Sequence, residues 1–167
     1  MSGGLERLRR AVVTALNEGG LPAVAALEPE ARRRWDGPVA AVSLAQIRCA
    51  PGGFQDYLGV EMDAQTGAQR ERYGRAAELT LALDLYAPRS GGESACQNAM
   101  ALAAQVLLTG GAAGLDVVEL TSDRVEFLER EGLYRMGVRC RCAAWLVARR
   151  DAAGETFDDF EVKGRMA

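Results

Sequence analysis

The sequence predicts an α+β fold: a small mixed, mostly antiparallel sheet flanked by two main helices, with a projecting hairpin and a C-terminal arm. Three observations predict it. The stretch "AELTLALDLYAP" alternates strictly, with Leu79, Leu81, Leu83 and Leu85 on one side and Glu78, Thr80, Ala82 and Asp84 on the other. That is the period of a strand with one face on a core. Two segments, 4–18 and about 92–108, instead repeat apolar residues at helical spacing, and each runs into a pair of glycines. Several shorter apolar runs follow one another with turn residues between them, as in strands joined by tight connections. At 167 residues, 49% hydrophobic and 26% charged, the chain suits a single domain over 1–167 that buries one core without disulfide or metal staples.

Taken in order, Leu5, Leu8, Val12, Val13 and Leu16 mark an amphipathic helix over 4–18, with Arg7, Arg9 and Arg10 on its polar side and Gly19-Gly20 as the stop. Prolines at 22, 29 and 38 make the next stretch an irregular connection, and its arginine triplet, 32–34, is expected to be a solvated face. "VAAVSLAQIRC" is a strand at about 39–49, closed by Pro51-Gly52-Gly53. A hairpin and strand occupy about 57–87, with Asp63 to Gly67 as the turn of a long projecting hairpin and Pro88 as the terminator. The helix over about 92–108 carries Cys96, Ala99, Met100, Ala103, Val106 and Leu107 on one stripe, which makes it the main core helix. Strands follow over about 115–148, and the acidic tail 151–167, with Phe157, Phe160 and Val162 spaced through it, forms an arm that docks.

Composition and residue types exclude much chemistry. The chain has no histidine, which removes Ser-His-Asp and Cys-His nucleophilic machinery and every imidazole zinc site. Its four cysteines, at 49, 96, 140 and 142, lie in apolar-patterned segments and lack paired C-x-x-C knuckles, so buried reduced thiols are expected and no metal or other cofactor. The carboxylates Asp158, Asp159 and Glu161 fall in a solvated tail where nothing separates their pKa values. A net charge of -3 gives no general pull toward nucleic acid, and lysine occurs once, at Lys163, among 20 basic residues. No stretch approaches the roughly 20 apolar residues of a membrane span, and the N-terminus has no signal-peptide pattern, so a cytoplasmic protein is expected.

Two places deserve a closer look. In "APRSGGESACQN" a strand, two glycines and a helix N-terminus follow in the polarity that suits an anion, with Arg89 adjacent, but the spacings of a P-loop and of G-x-G-x-x-G are missing. In "YRMGVRCRCAAWLVA", strand parity puts Tyr134, Met136, Val138, Cys140, Cys142, Ala144 and Leu146 on one face and Arg135, Arg139, Arg141 and Trp145 on the other. The cysteines become core residues about 7 Å apart along the strand, poorly placed to bridge. The arginines form a face that asks for a partner.

The order of these elements, with "YGRAAELTLALDLYAP", "ESACQNAMALAAQVLL", "LDVVELTS", "YRMGVRCRCAAWLVA" and a closing "FDDFEVKGRM", resembles the tail terminator proteins of tailed phages and prophage tail-like particles. The resemblance covers most of the chain. It implies a structural assembly protein and no enzyme: a homo-oligomeric ring, usually a hexamer, that caps the tail tube, stops tube polymerisation and presents the surface to which the head or connector docks. The implied partners are other copies of the chain, the tail tube protein, and sheath and head-tail connector proteins, with no membrane and no specific nucleic acid. The implied location is the host cytoplasm during assembly and then the virion tail. The match places "FDDFEVKGRM" in the C-terminal arm, with Phe157 and Phe160 as apolar anchors and Arg139 and Arg141 facing a ring lumen or a neighbouring subunit. Alternatives are another neck or tail-completion protein that joins rather than stops, and a small anionic-ligand-binding protein using Arg89.

Overall fold

The leucine alternation at 79–85 lies within β4 (Gln69–Pro88), the longest strand and the spine of the sheet. The computed structural model describes residues 4–49, 56–109, 115–151 and 161–163. β4 pairs antiparallel with β7 (Leu133–Asp151) from Arg70 opposite Asp151 to Pro88 opposite Leu133, with no slip in register. At about 3.3 Å per residue this ladder is roughly 60 Å long. β2 (Val39–Cys49) and β3 (Tyr57–Met62) share the other side of β4, β2 along its second half and β3 along its first. The free side of β7 carries β6 (Glu126–Leu128), β5 (Asp116–Ser122) and β8 (Glu161–Lys163) in turn. The two-residue β1 (Ala23–Val24) lies beside β2 and makes the one parallel pairing among the described strands. The protein is α+β with a mostly antiparallel sheet and two helices.

Both helices, α1 (Gly4–Glu18) and α2 (Gly92–Thr109), lie on the same face of the sheet. Leu8, Val12 and Leu16 of α1 and Cys96, Ala99, Ala103 and Leu107 of α2 meet the leucine face of β4, Val42 of β2, and Met136, Val138, Cys140, Cys142 and Ala144 of β7. Met100 and Val106, expected on the buried stripe of α2, are half-buried at its margin. Small residues at Cys96, Ala99 and Ala103 let α2 approach the sheet closely.

The stop of α1 has a definite mechanism. Leu21 donates its backbone N–H to the Leu16 carbonyl and Gly20 donates to Asn17, the crossed pair of bonds that ends a helix on a left-handed residue, and Gly20 has φ 92°. Asn17 then ties the connection down: its Nδ2 donates to the Ala23 carbonyl and its Oδ1 accepts from the Ala23 N–H, both near 3.0 Å. The arginine triplet forms a short 3-10 turn, Arg32–Arg34. Arg32 is not simply a solvated charge. It donates to both carboxylate oxygens of Glu131 at 3.1 Å and lies over the Tyr86 ring at 4.5 Å.

The hairpin of 57–75 closes at Asp63, whose Oδ1 accepts from the N–H groups of Gln65 and Thr66, with Gly67 at φ 68°. Sequence reasoning described two strands here, but the end of β7 pairs along the same stretch and adds a third. At its base the face opposite the helices acquires apolar packing of its own. Val147 is fully buried there, opposite Gly74. A Cβ on Gly74 would come within 2.6 Å of Leu58 Cδ1, so glycine makes room for Leu58.

Candidate assembly surface

With both helices on one side, the other face of β2, β4, β7 and β5 is open over the middle of the sheet. Its residues are set by parity: Arg48, Gln46 and Ser43 on β2, Glu78, Thr80, Ala82 and Asp84 on β4, Arg135, Arg139 and Arg141 on β7, and Asp116, Glu119 and Thr121 on β5. Pairing aligns them in rows across the four strands. One row runs Arg48, Glu78, Ala143, Asp116; the next polar row runs Gln46, Thr80, Arg141, Glu119.

Arg141 is held between two carboxylates. Its Nη1 donates to Glu78 at 3.1 Å, and its Nε donates to Glu119 at 3.0 Å. These bonds, with the charge of both acids, push its pKa above the usual arginine value. Arg135 makes a comparable pair with Asp84 at 2.6 Å, which raises its pKa as well. Arg139 is exposed, opposite Ala82 and Thr121, and has no ion pair among the described residues. Of the two arginines expected to face a neighbour, Arg141 thus has its charge partners within its own chain. Phe157 and Phe160 lie outside the described residues.

Asp123 covers the end of this face. It sits over Gly137, where a Cβ would come within 2.7 Å of its carboxylate, and a polar pocket of about 300 Å³ opens between Asp123, Arg124, Glu126 and Arg135. A second cleft, of about 350 Å³ and mostly apolar, lies at the hairpin base between Cys49, Tyr73, Arg75 and Leu146. Along the hairpin, Arg72 and Arg149 oppose one another directly across β4 and β7. Glu61 of β3 pairs with both and makes the like-charge opposition tolerable.

The cysteines divide. Cys140 and Cys142 are buried with their Sγ atoms 3.6 Å apart, closer than strand spacing alone implies because the side chains lean together, and both are free thiols. The contact with Cys142 and burial both push the Cys140 thiol up. Burial alone raises Cys96 to about 11. Cys49, expected to be buried, is exposed, because β2 has run past the helices by the time it reaches this residue. Arg89 lies over the Phe127 ring at 5.6 Å, turned toward β6. Among the described residues no three His, Cys, Asp or Glu side chains gather where they would hold a metal ion, and no helix is long and apolar enough to cross a membrane.

No protein-family model matches this chain, and no curated protein matches it either. Sequence reasoning found the arginine face through parity but missed the acids that balance it. Glu78 was already on the correct face of its strand, whereas the register that brings Glu119 beside Arg141 includes a bulge between Val117 and Glu119.

Proposed function

We propose that this chain is a structural assembly protein, a tail terminator whose ring of copies caps a phage-type tail tube, stops its polymerisation and offers the docking surface for the head or connector. The observation that supports this reading is the one-sided sheet. Two helices cover one face, while the other presents rows of charge-balanced polar side chains; a long hairpin and, among the described residues, unpaired strand edges complete the surface. Such a layout suits broad, mostly polar contact with other protein subunits. The order of elements that resembles the terminator family is the reason to name the tube as partner.

The reading is tested by deleting the gene and measuring tails, and by adding the purified protein to polymerising tube protein. A terminator yields overlong tubes when absent and halts elongation when added. Tails of normal length that fail to attach to heads would refute it in favour of a joining protein.

A further inference from the structure

Among the described residues the sheet ends in two free edges. Beyond Ala41, where β1 stops, the outer side of β2 has no strand beside it among the described residues, and the outer side of β5 has none along its length. Neither 42–49 nor 116–122 contains a proline or a lysine, two of the usual devices that blunt an exposed edge. Each edge instead shows an exposed apolar residue, Ile47 at 36% and Val118 at 54% relative exposure. Each is also bulged, between Leu44 and Gln46 on β2 and between Val117 and Glu119 on β5, so the two edges kink at nearly the same height in the sheet.

The charges on the edges are complementary and unused. Arg48 and Asp116 occupy the two ends of a single row, through Glu78 and Ala143, and neither has an ion-pair partner among the described residues. β2 and β5 also run in opposite directions, since three antiparallel pairings separate them.

We infer that copies of this chain join head to tail through these edges, β5 of one copy adding antiparallel to β2 of the next, with Asp116 meeting Arg48 of the next copy and Val118 near its Ile47. Because the row is level across the sheet, addition without stagger brings those two charges together and keeps the helices of successive copies on one side. Pairing β5 with itself about a two-fold axis between Val117 and Val118 sets Asp116 opposite Glu119 of its mate on both sides of the axis, a like-charge opposition that disfavours this symmetric dimer. The contact uses different surfaces on its two sides, so it closes into a ring or continues as a filament. It rests on the edges alone: a chain that assembles this way yet leaves tube growth unchecked would retain this inference and lose the terminator reading.

The test is sedimentation velocity over a concentration series on the full chain, on Arg48→Asp, on Asp116→Arg, and on an equimolar mixture of the two variants. Both side chains are exposed and have no ion-pair partner among the described residues, so the variants should keep the wild-type circular dichroism and melting temperature. Wild type should associate, and each reversal should weaken association by about 30-fold or more, as expected for like charges brought together at an interface. The mixture should recover it, because each copy then offers the edge that the other has lost. A wild type that stays monomeric at its solubility limit overturns the inference. So does association indifferent to Asp116→Arg, or a mixture no stronger than its components.

Discussion

The junction of the two helices offers a sharp test of the packing. Gly19 follows the last turn of α1 where α2 passes, and a Cβ added there would overlap Val106 Cγ2 while lying 3.4 Å from Val106 Cβ and 3.2 Å from the Ala15 carbonyl oxygen. Valine in a helix holds essentially one rotamer, so Val106 cannot turn its methyls away cheaply. Gly19→Ala should therefore destabilise the fold by about 1–3 kcal/mol, the usual range for an overpacked site. In a chain of this size that is a fall in melting temperature of roughly 2–12 °C. Val106→Ala alone removes two methyl groups from a half-buried side chain and should cost about 1–2 kcal/mol. In the double variant the new methyl occupies the vacated space, so its cost should approach that of Val106→Ala. Urea melts of all four proteins would give a coupling of about 1 kcal/mol or more. Gly20→Ala is the control. Its penalty of about 1–2 kcal/mol comes from a left-handed backbone, and Val106→Ala should not relieve it. If the first cycle is additive within about 0.5 kcal/mol, α1 and α2 do not meet at Gly19 and Val106.

Two further predictions concern the hairpin and the thiols. Glu61→Gln keeps the shape but removes the charge between Arg72 and Arg149, and should lower stability by about 1 kcal/mol in low salt, less in high salt as the arginines are screened; a loss that does not change with salt would count against charge relief. In the folded protein a thiol reagent should modify Cys49 rapidly and Cys96, Cys140 and Cys142 only on the timescale of unfolding. The raised Cys96 pKa also sets a pH dependence. Below pH 9 the thiol is neutral whether folded or unfolded and contributes nothing to it; between 9 and about 11 only the unfolded chain releases the proton. Stability should therefore fall through that window, by at most about 1.4 kcal/mol per pH unit for this thiol. In a Cys96→Ala background, urea midpoints followed from pH 8 to 10.5 should show a shallower decline.

The parts of the fold that were legible in the sequence are those in which one period dominates. The leucines of β4 alternate over a half-buried strand, the stripes of α1 and α2 repeat every three to four residues, and each segment ends on glycine or proline chemistry that admits one reading. What escaped was set by partners distant in the chain. That Arg32 pairs with Glu131, that β7 runs on to become the third strand of the hairpin, and that both helices share a face depend on register and handedness, which no local pattern carries. Cys49 shows the same limit in reverse. Its segment has strand-like apolar patterning, but burial depends on whether a helix happens to cover that end of the sheet.

The Arg-Cys-Arg-Cys cluster at 139–142 shows how a fold and a surface can be separated along a single strand. Parity sends Cys140 and Cys142 into the core, where the contact with Cys142 and burial together keep the Cys140 thiol protonated. It sends Arg139 and Arg141 to the open face, and there the two differ by what stands beside them. Arg141 faces Glu78 and Glu119 and stitches three strands together; Arg139 faces alanine and threonine. A charge satisfied by its own chain mainly helps to fix register, because any intermolecular contact would have to compete with pairs already made. A charge that only water surrounds gives up hydration, but no existing ion pair, when it meets one from outside. By that criterion the groups open to a contact from outside are Arg139 on the face and Arg48 and Asp116 at the edges, while Arg141 and Arg135 are already engaged within their own chain. If copies join edge to edge as proposed, their contacts lie at the rims of the sheet and leave its centre uncovered.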